Sequence, residues 1–123
     1  MQQESTFFEL DAWHNSRDIA KEIYIVTSKP EFEQDWSLRD QMRRAAVSVC
    51  SNMAEGYERD GDRELIRFLH IAKGSAGELL AQIHIAFDIN YLDETEFEQL
   101  KKKMLDELAL LGGLIRYVKK RQS

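Results

Sequence analysis

Cysteine, proline and glycine are scarce in this chain. Its single cysteine, Cys50, excludes any disulfide within the chain, and the apolar residues around it favour a small buried side chain over a nucleophile. One proline and six glycines in 123 residues leave few positions at which the backbone can turn. We therefore expect a few long helices rather than many short elements.

Long hydrophobic runs are also missing. No stretch approaches the roughly 18 uninterrupted apolar residues of a membrane-spanning helix, and residues 1–5 have neither the basic region nor the apolar region of a secretory leader. Apolar residues make up 43% of the chain and charged residues 32%, a composition too apolar for disorder and too charged for a membrane protein. We expect one soluble, cytoplasmic domain over residues 1–123.

The charge balance is acidic but uneven. The formal net charge is −5 and the pI is about 5.2, which argues against indiscriminate nucleic-acid binding, because such binding depends on neutralising phosphates. Residues 1–60 contain 12 acidic and 7 basic side chains, whereas residues 61–123 contain 10 of each. This distribution leaves room for a basic patch on one face.

Hydrophobic periodicity predicts four long helices, over about residues 10–27, 37–56, 62–90 and 94–120. Pro30 ends the first, and residues 31–36 form a connector in which Phe32 and Trp36 are expected to pack against the end of the helices. Ser37 and Asp93 are predicted N-caps, the second in a capping box with Glu96.

The third segment has the strongest pattern. Apolar residues alternate spacings of four and three without a break, which is typical of a heptad seam. The residues of this seam are Leu65, Leu69, Ala72, Ala76, Leu79, Ile83 and Ala86. A second line runs beside it and consists of Phe68, Ile71, Ser75, Glu78, Gln82, Ile85 and Ile89.

Four helices joined by short turns pack most simply as an antiparallel up-down-up-down four-helix bundle, so the predicted fold class is all-α. The core of one such bundle does not need both lines of the third helix. Exposed apolar surface of this extent usually marks an interface, and we therefore predict a homo-oligomer.

Glycines in the predicted helices require an explanation. Gly56 is expected to stop the second helix. Gly74 and Gly77 flank small residues in the middle of the third helix, and Gly112-Gly113 lie inside the fourth. Close packing of another helix is the expected reason at both places, since a helical glycine costs about 1 kcal/mol relative to alanine.

Catalytic and metal-binding patterns are not found. A di-iron bundle needs two Glu-x-x-His pairs, but only His14 has a carboxylate three residues before it, Asp11. Ser75 lies in a helix rather than at the strand-to-helix turn of a nucleophile elbow. We predict no enzyme activity, no metal and no cofactor.

Five arginines are candidates for binding nucleic acid, and two sets of them are expected to converge at one end of the bundle. The alternative is an ordinary salt-bridged surface, because Glu55, Glu58, Asp60 and Asp62 are close in sequence. Lys101-Lys102-Lys103 is a weaker candidate, since consecutive side chains of a helix point in different directions. The five arginines are Arg43, Arg44, Arg59, Arg63 and Arg67.

Polar side chains on the second helix are interpreted as a structural network rather than a reactive site. They lie at spacings of four and three on one face, and if buried they need partners. The predicted network consists of Ser48, Asn52, Glu55, Ser75 and Glu78.

Residues 41–56, QMRRAAVSVCSNMAEG, resemble the signature of a bacterial family, the four-helix-bundle proteins encoded within intervening sequences of large ribosomal RNA genes. The resemblance continues at residues 67–75, at Glu78-Leu79 and Tyr91-Leu92, and more weakly at Leu10 and Trp13. It implies an antiparallel four-helix bundle, commonly a homopentamer with a central channel, and no known enzymatic activity.

A related branch of this family is the accessory variability determinant of diversity-generating retroelements, which works with a reverse transcriptase and binds nucleic acid through a basic surface. The resemblance therefore implies an accessory role with RNA, DNA or a reverse transcriptase. The alternative is a homo-oligomeric module that binds protein and uses its charges only for solubility and helix pairing.

Overall fold

The computed structural model describes residues 10–122, and these residues form five α-helices and no strand. Residues 1–9 and Ser123 of the predicted domain lie outside the described residues. None of the described helices is long and apolar enough to cross a membrane. The helices are α1 (Asp11–Val26), α2 (Pro30–Glu33), α3 (Trp36–Glu58), α4 (Asp62–Asp88) and α5 (Glu94–Gln122).

The predicted connector contains the short helix α2. Pro30 occupies its first turn, where the missing amide hydrogen costs nothing. Phe32 is fully buried, as predicted, and its ring meets the edge of Tyr91 at 5.0 Å. Trp36 was expected to pack as well, and this is wrong: it is 63% exposed, because it is the first residue of α3 and lies outside the contact with the other helices.

The N-cap of α3 also differs from the prediction. Asp35 caps this helix, accepting a hydrogen bond from the backbone amide of Leu38 at 3.2 Å, and Ser37 lies inside the first turn. The capping box of α5 is confirmed: the Glu96 amide donates to Asp93 at 2.8 Å and the Asp93 amide donates to Glu96 at 2.9 Å.

Gly56 does not end α3, which continues to Glu58. A Cβ on Gly56 would lie 2.9 Å from the Cβ of Phe68 and 3.2 Å from Cδ1 of Leu65, so glycine is needed for the close approach of α3 and α4. The chain turns instead at Gly61, whose φ of +86° is the left-handed conformation that glycine adopts without strain.

The seam of α4 forms the centre of the core. All seven of its residues are at most 4% exposed, as predicted. The second line is buried only in part: Phe68 and Gln82 are buried, whereas Ile71, Ile85 and Ile89 are 39–50% exposed.

The four long helices contact one another in a ring, in which α3 packs on α4, α4 on α5, and α1 on both α3 and α5. Contacts between side chains show that α4 and α5 run antiparallel. Arg121 near the end of α5 donates to Asp62 at the start of α4 at 2.8 and 2.9 Å, and this guanidinium lowers the pKa of Asp62. Lys29 similarly joins the turn after α1 to Glu96 at the start of α5, at 2.7 Å.

Two alanine substitutions test the close approach of α3 and α4. Gly56→Ala forces its new Cβ against Phe68 and should lower the free energy of unfolding by about 1–3 kcal/mol. The close helix packing expected at Gly74 and Gly77 is wrong, because both are exposed and no side chain or other helix of the described chain lies within 4 Å of a Cβ built on either. Gly77→Ala is therefore the matched control, and it should raise stability by up to about 1 kcal/mol. Urea denaturation of both variants measures the difference; equal stabilities would contradict the close approach.

Candidate nucleic-acid interface

The five candidate arginines lie in two separate places. Arg43 and Arg44 are in the second turn of α3, near the end of α1, while Arg59 follows α3, and Arg63 and Arg67 are in the first turns of α4. About 24 Å of helix separates Arg43 from Arg59, at 1.5 Å per residue. The expected convergence at one end is therefore wrong, because α3 runs uninterrupted between the two sets.

Arg59 and Arg67 are neutralised by carboxylates. Arg59 donates to Glu55 at 2.9 Å, Arg67 donates to Glu64 at 3.2 Å, and both guanidinium groups lie over the ring of Phe68. Arg67 in turn lowers the pKa of the Glu64 carboxyl. This part of the surface matches the salt-bridged alternative.

Arg63 differs from these two neighbours. It is exposed, and no described carboxylate lies within ion-pair distance of it. A single free cation here gives a weaker case for phosphate binding than the pair on α3.

The side chain of Arg43 is held in place by uncharged groups. Its guanidinium lies 4.7 Å from the ring centre of Tyr24, and its Nε donates to the Thr27 hydroxyl at 2.9 Å. Its second contact is also a hydroxyl, that of Ser28, at 3.4 Å. No described carboxylate pairs with Arg43, so its positive charge is fixed in position and not neutralised.

Arg44 is exposed beside it, and it too has no ion pair within the described chain. Both arginines line an open groove of about 620 Å³ at the surface of α1 and α3, which we call the α1–α3 groove. The carboxylate of Asp40 in this groove accepts a hydrogen bond from Arg39. The other polar residues of the groove are Ser48, Ser51 and Asn52.

Three of the five residues of the predicted polar network come together. The hydroxyls of Ser48 and Ser75 are 2.8 Å apart, which joins α3 to α4, and the Asn52 amide donates to both the carbonyl and the hydroxyl of Ser48 at 2.9 Å. Glu55 and Glu78 are not part of it. The side chains of Glu55 and Glu78 are both exposed to solvent.

A buried carboxyl was missed by the sequence analysis. Glu107 of α5 is 0% exposed; its Oε1 accepts a hydrogen bond from Asn15 at 3.1 Å, and its Oε2 has no partner among the described atoms. Burial raises its pKa to about 7. The available signal was its spacing, three residues after Met104 and four before Leu111, which are both core residues.

Cys50 lies near this carboxyl. It is half-buried, and its thiol donates to the Ser16 hydroxyl at 3.3 Å. Burial raises the pKa of the thiol, which keeps it protonated and makes it a poor nucleophile. Over residues 10–122, no three side chains of histidine, cysteine, aspartate or glutamate are grouped to hold a metal ion.

Four long helices packed around the apolar seam of α4, with no strand among residues 10–122, place the chain in the all-helical class. The chain belongs to the family of 23S rRNA-intervening sequence proteins, whose model matches residues 8–113. The resemblance predicted from residues 41–56 and 67–75 is thereby confirmed.

A solved structure of similar fold is that of a protein with unknown function from the S23 ribosomal protein family, from Bacteroides thetaiotaomicron. Its TM-score is 0.79 at 20% sequence identity, over 85% of this chain and 97% of that chain. At this identity the likeness shows the fold alone. No curated protein matches the sequence.

Glu107 predicts an unusual pH dependence. Its pKa of about 7 in the folded chain exceeds the ordinary 4.5, so the folded state holds this proton more tightly than the unfolded state. Protonated Glu107 therefore contributes stability that is fully present below the pKa that this carboxyl has in the unfolded chain. This contribution to the free energy of unfolding, about 3 kcal/mol in total, is lost as pH rises through about 7.

Glu107→Gln should abolish this loss, because the amide stays neutral and can still accept from Asn15. We expect the variant to be more stable than the wild type at about pH 8, with little difference at about pH 5. Glu98→Gln, on an exposed residue of the same helix, is the control. Urea denaturation at both pH values measures the effect, and parallel behaviour of wild type and Glu107→Gln would refute it.

Proposed function

We propose that this protein is a non-enzymatic, oligomeric four-helix bundle that acts as an accessory factor associated with nucleic acid. The observation that carries the proposal is the pair Arg43 and Arg44, two adjacent arginines of which neither forms an ion pair with a described carboxylate. The ring of contacts between α1, α3, α4 and α5 supports the up-down-up-down arrangement.

The chemistry of the α1–α3 groove suits a phosphodiester backbone. Guanidinium groups bind phosphate oxygens through paired, charge-assisted hydrogen bonds, and hydroxyl and amide groups commonly add further contacts. Arg43 is held in place on Tyr24, so it loses little conformational freedom when a phosphate binds. The half-exposed ring of Tyr24 offers a surface on which a base can stack.

Family membership supports the same direction. The family is named after intervening sequences of 23S rRNA, which makes RNA the natural first probe. The related retroelement branch extends the proposal to DNA and to a nucleic acid held by a reverse transcriptase. With a net charge of −5, the protein must bind through a local surface, and the binding must therefore depend strongly on salt.

Arg44→Glu tests the α1–α3 groove. Loss of a charge-assisted contact and repulsion by the new carboxylate should weaken binding of labelled single-stranded RNA or duplex DNA at least about tenfold. Lys21→Glu on α1 makes the same charge change at an exposed residue outside the groove and should have a much smaller effect. Titrations at about 50 and about 200 mM salt measure both affinities. Equal losses in the two variants, or binding that salt does not weaken, would count against the groove.

Self-assembly is the second part of the proposal. Along α4, Ile71, Ile85 and Ile89 are 39–50% exposed. Apolar side chains in this number on one side of a small domain support contact with another copy. The resemblance suggests a homopentamer. If α3 and α4 served only this contact, the protein would be an interaction module without a nucleic-acid role.

Ile85→Glu tests the assembly. A charge placed in an apolar interface should dissociate the oligomer, whereas Leu105→Glu should leave it intact, since Leu105 is equally exposed, at 50%, but lies on α5. Absolute mass at micromolar concentration, measured by light scattering, distinguishes the two. A monomeric wild type would defeat the oligomer, and an intact Ile85→Glu oligomer would move the interface elsewhere.

A further inference from the structure

Two cationic side chains from different helices meet over the backbone of α5. A Cβ placed on Gly112 would lie 3.4 Å from Nη1 of Arg116 and 4.0 Å from Cε of Lys73. One on Gly113 would lie 3.8 Å from Nη2 of Arg116, so the guanidinium lies along the surface of both glycines. The close helix crossing expected at this pair is therefore wrong, because the described neighbours are the tips of cationic side chains and not another backbone.

Neither cation is neutralised within the described chain. Two other arginines of these helices have carboxylate partners: Arg67 pairs with Glu64, and Arg121 pairs with Asp62. Lys73 and Arg116 are exposed and have no such ion pair. Like charges brought close together repel each other, and a bound anion would remove that repulsion.

Further basic residues extend this surface along the contact between α4 and α5. His70 lies three residues before Lys73, and Lys119 three after Arg116, which places both on the same faces of their helices. At the other end, the Lys101 ammonium lies 5.7 Å from the ring centre of Phe97, which itself contacts His84. We call this surface the α4–α5 groove; Lys101 to Lys119 spans about 27 Å of helix.

Carboxylates are absent from the groove over this length. Between residues 65 and 87 of α4 the sequence has one acidic residue, Glu78, and it lies beside Gln41 and Arg44 on the α3 side. Between residues 99 and 122 of α5 it has two. Asp106 lies beside Asp11 on the α1 side, and Glu107 is buried. Glu98, three residues before Lys101, places a carboxylate at the edge of this surface. An acidic protein thus has a stretch of helix contact whose charges are mostly basic.

We propose that the α4–α5 groove binds a row of phosphate groups, such as the backbone of single-stranded nucleic acid, with Lys73 and Arg116 at its centre. The cations lie along one contact between two helices, and such an elongated basic surface suits the line of phosphates on a single strand. Inorganic polyphosphate has the same chemistry. The inference rests on the proposed nucleic-acid association for its biological ligand, but the groove is separate from Arg43 and Arg44.

The test compares two double variants that each remove two positive charges. Lys73→Gln with Arg116→Gln removes the centre of the groove, and Arg17→Gln with Lys21→Gln removes two exposed cations of α1. The probes are fluorescein-labelled single-stranded RNA and inorganic polyphosphate, titrated over a series of salt concentrations. All four positions are exposed, so both variants should fold; circular dichroism verifies this.

The groove variant should bind RNA at least about tenfold more weakly than wild type. The slope of log affinity against log salt is negative, and its magnitude should be smaller by about 1.4 in this variant. The α1 variant should keep the wild-type slope. Lys119→Gln alone should reduce the slope by about 0.7.

The other possible outcomes distinguish a failure of the groove proposal from a failure of the proposed function. An unchanged slope in the groove variant, with binding still lost in Arg44→Glu, would overturn the groove and leave the nucleic-acid association standing. Binding of polyphosphate but not RNA, lost in the groove variant, would support the phosphate row and overturn RNA as its ligand. A wild type that binds neither probe would overturn both.

Discussion

Burial of the α4 seam is the constraint on which the other features depend. Pairs of leucine or isoleucine alternate with alanines along this seam. The large side chains are removed from water, and the alanines let α3 and α5 pack close on either side. Gly56 permits a close approach of α3 and α4 where it faces Phe68. Because α4 packs on α3 and on α5, the same seam also sets the positions of the two surfaces at which unpaired cations collect.

The distribution of ion pairs explains how an acidic protein can offer basic surfaces. Carboxylates near the ends of the long helices pair with Lys29, Arg59, Arg67 and Arg121. These pairs fix the turns and remove those cations from any role in binding. Arg43 and Arg44 on α3, Lys73 on α4 and Arg116 on α5 have no such pair within the described chain. Net charge alone therefore says little about where phosphate can bind, since it averages over charges already paired.

Much of the fold follows from local patterns in the sequence. The seam, the four long helices and the capping box at Asp93 all depend on residues close in the chain. The errors at Trp36 and at the N-cap of α3 arise because the helix starts two residues earlier than predicted, which changes which side chains face the core. The sequence does not predict that Lys73 and Arg116 lie close together. Their proximity depends on the register between α4 and α5, and hydrophobic periodicity within each helix carries no information about that register. From its residue type alone, Glu107 is expected at the surface, and its burial becomes clear only from its neighbours in the structure.

The central claim is that the helices present unpaired cations to a nucleic-acid strand. Photocrosslinking of 4-thiouridine-labelled RNA to the assembled protein, followed by mass spectrometry of the attached peptides, tests it most directly. We expect crosslinks in the second to fourth turns of α3 near Arg44 and on both sides of the contact between Lys73 and Arg116. Crosslinks confined to the salt-bridged region around Arg59 and Arg67, or the absence of crosslinks above the level of a non-binding control protein, would contradict the account.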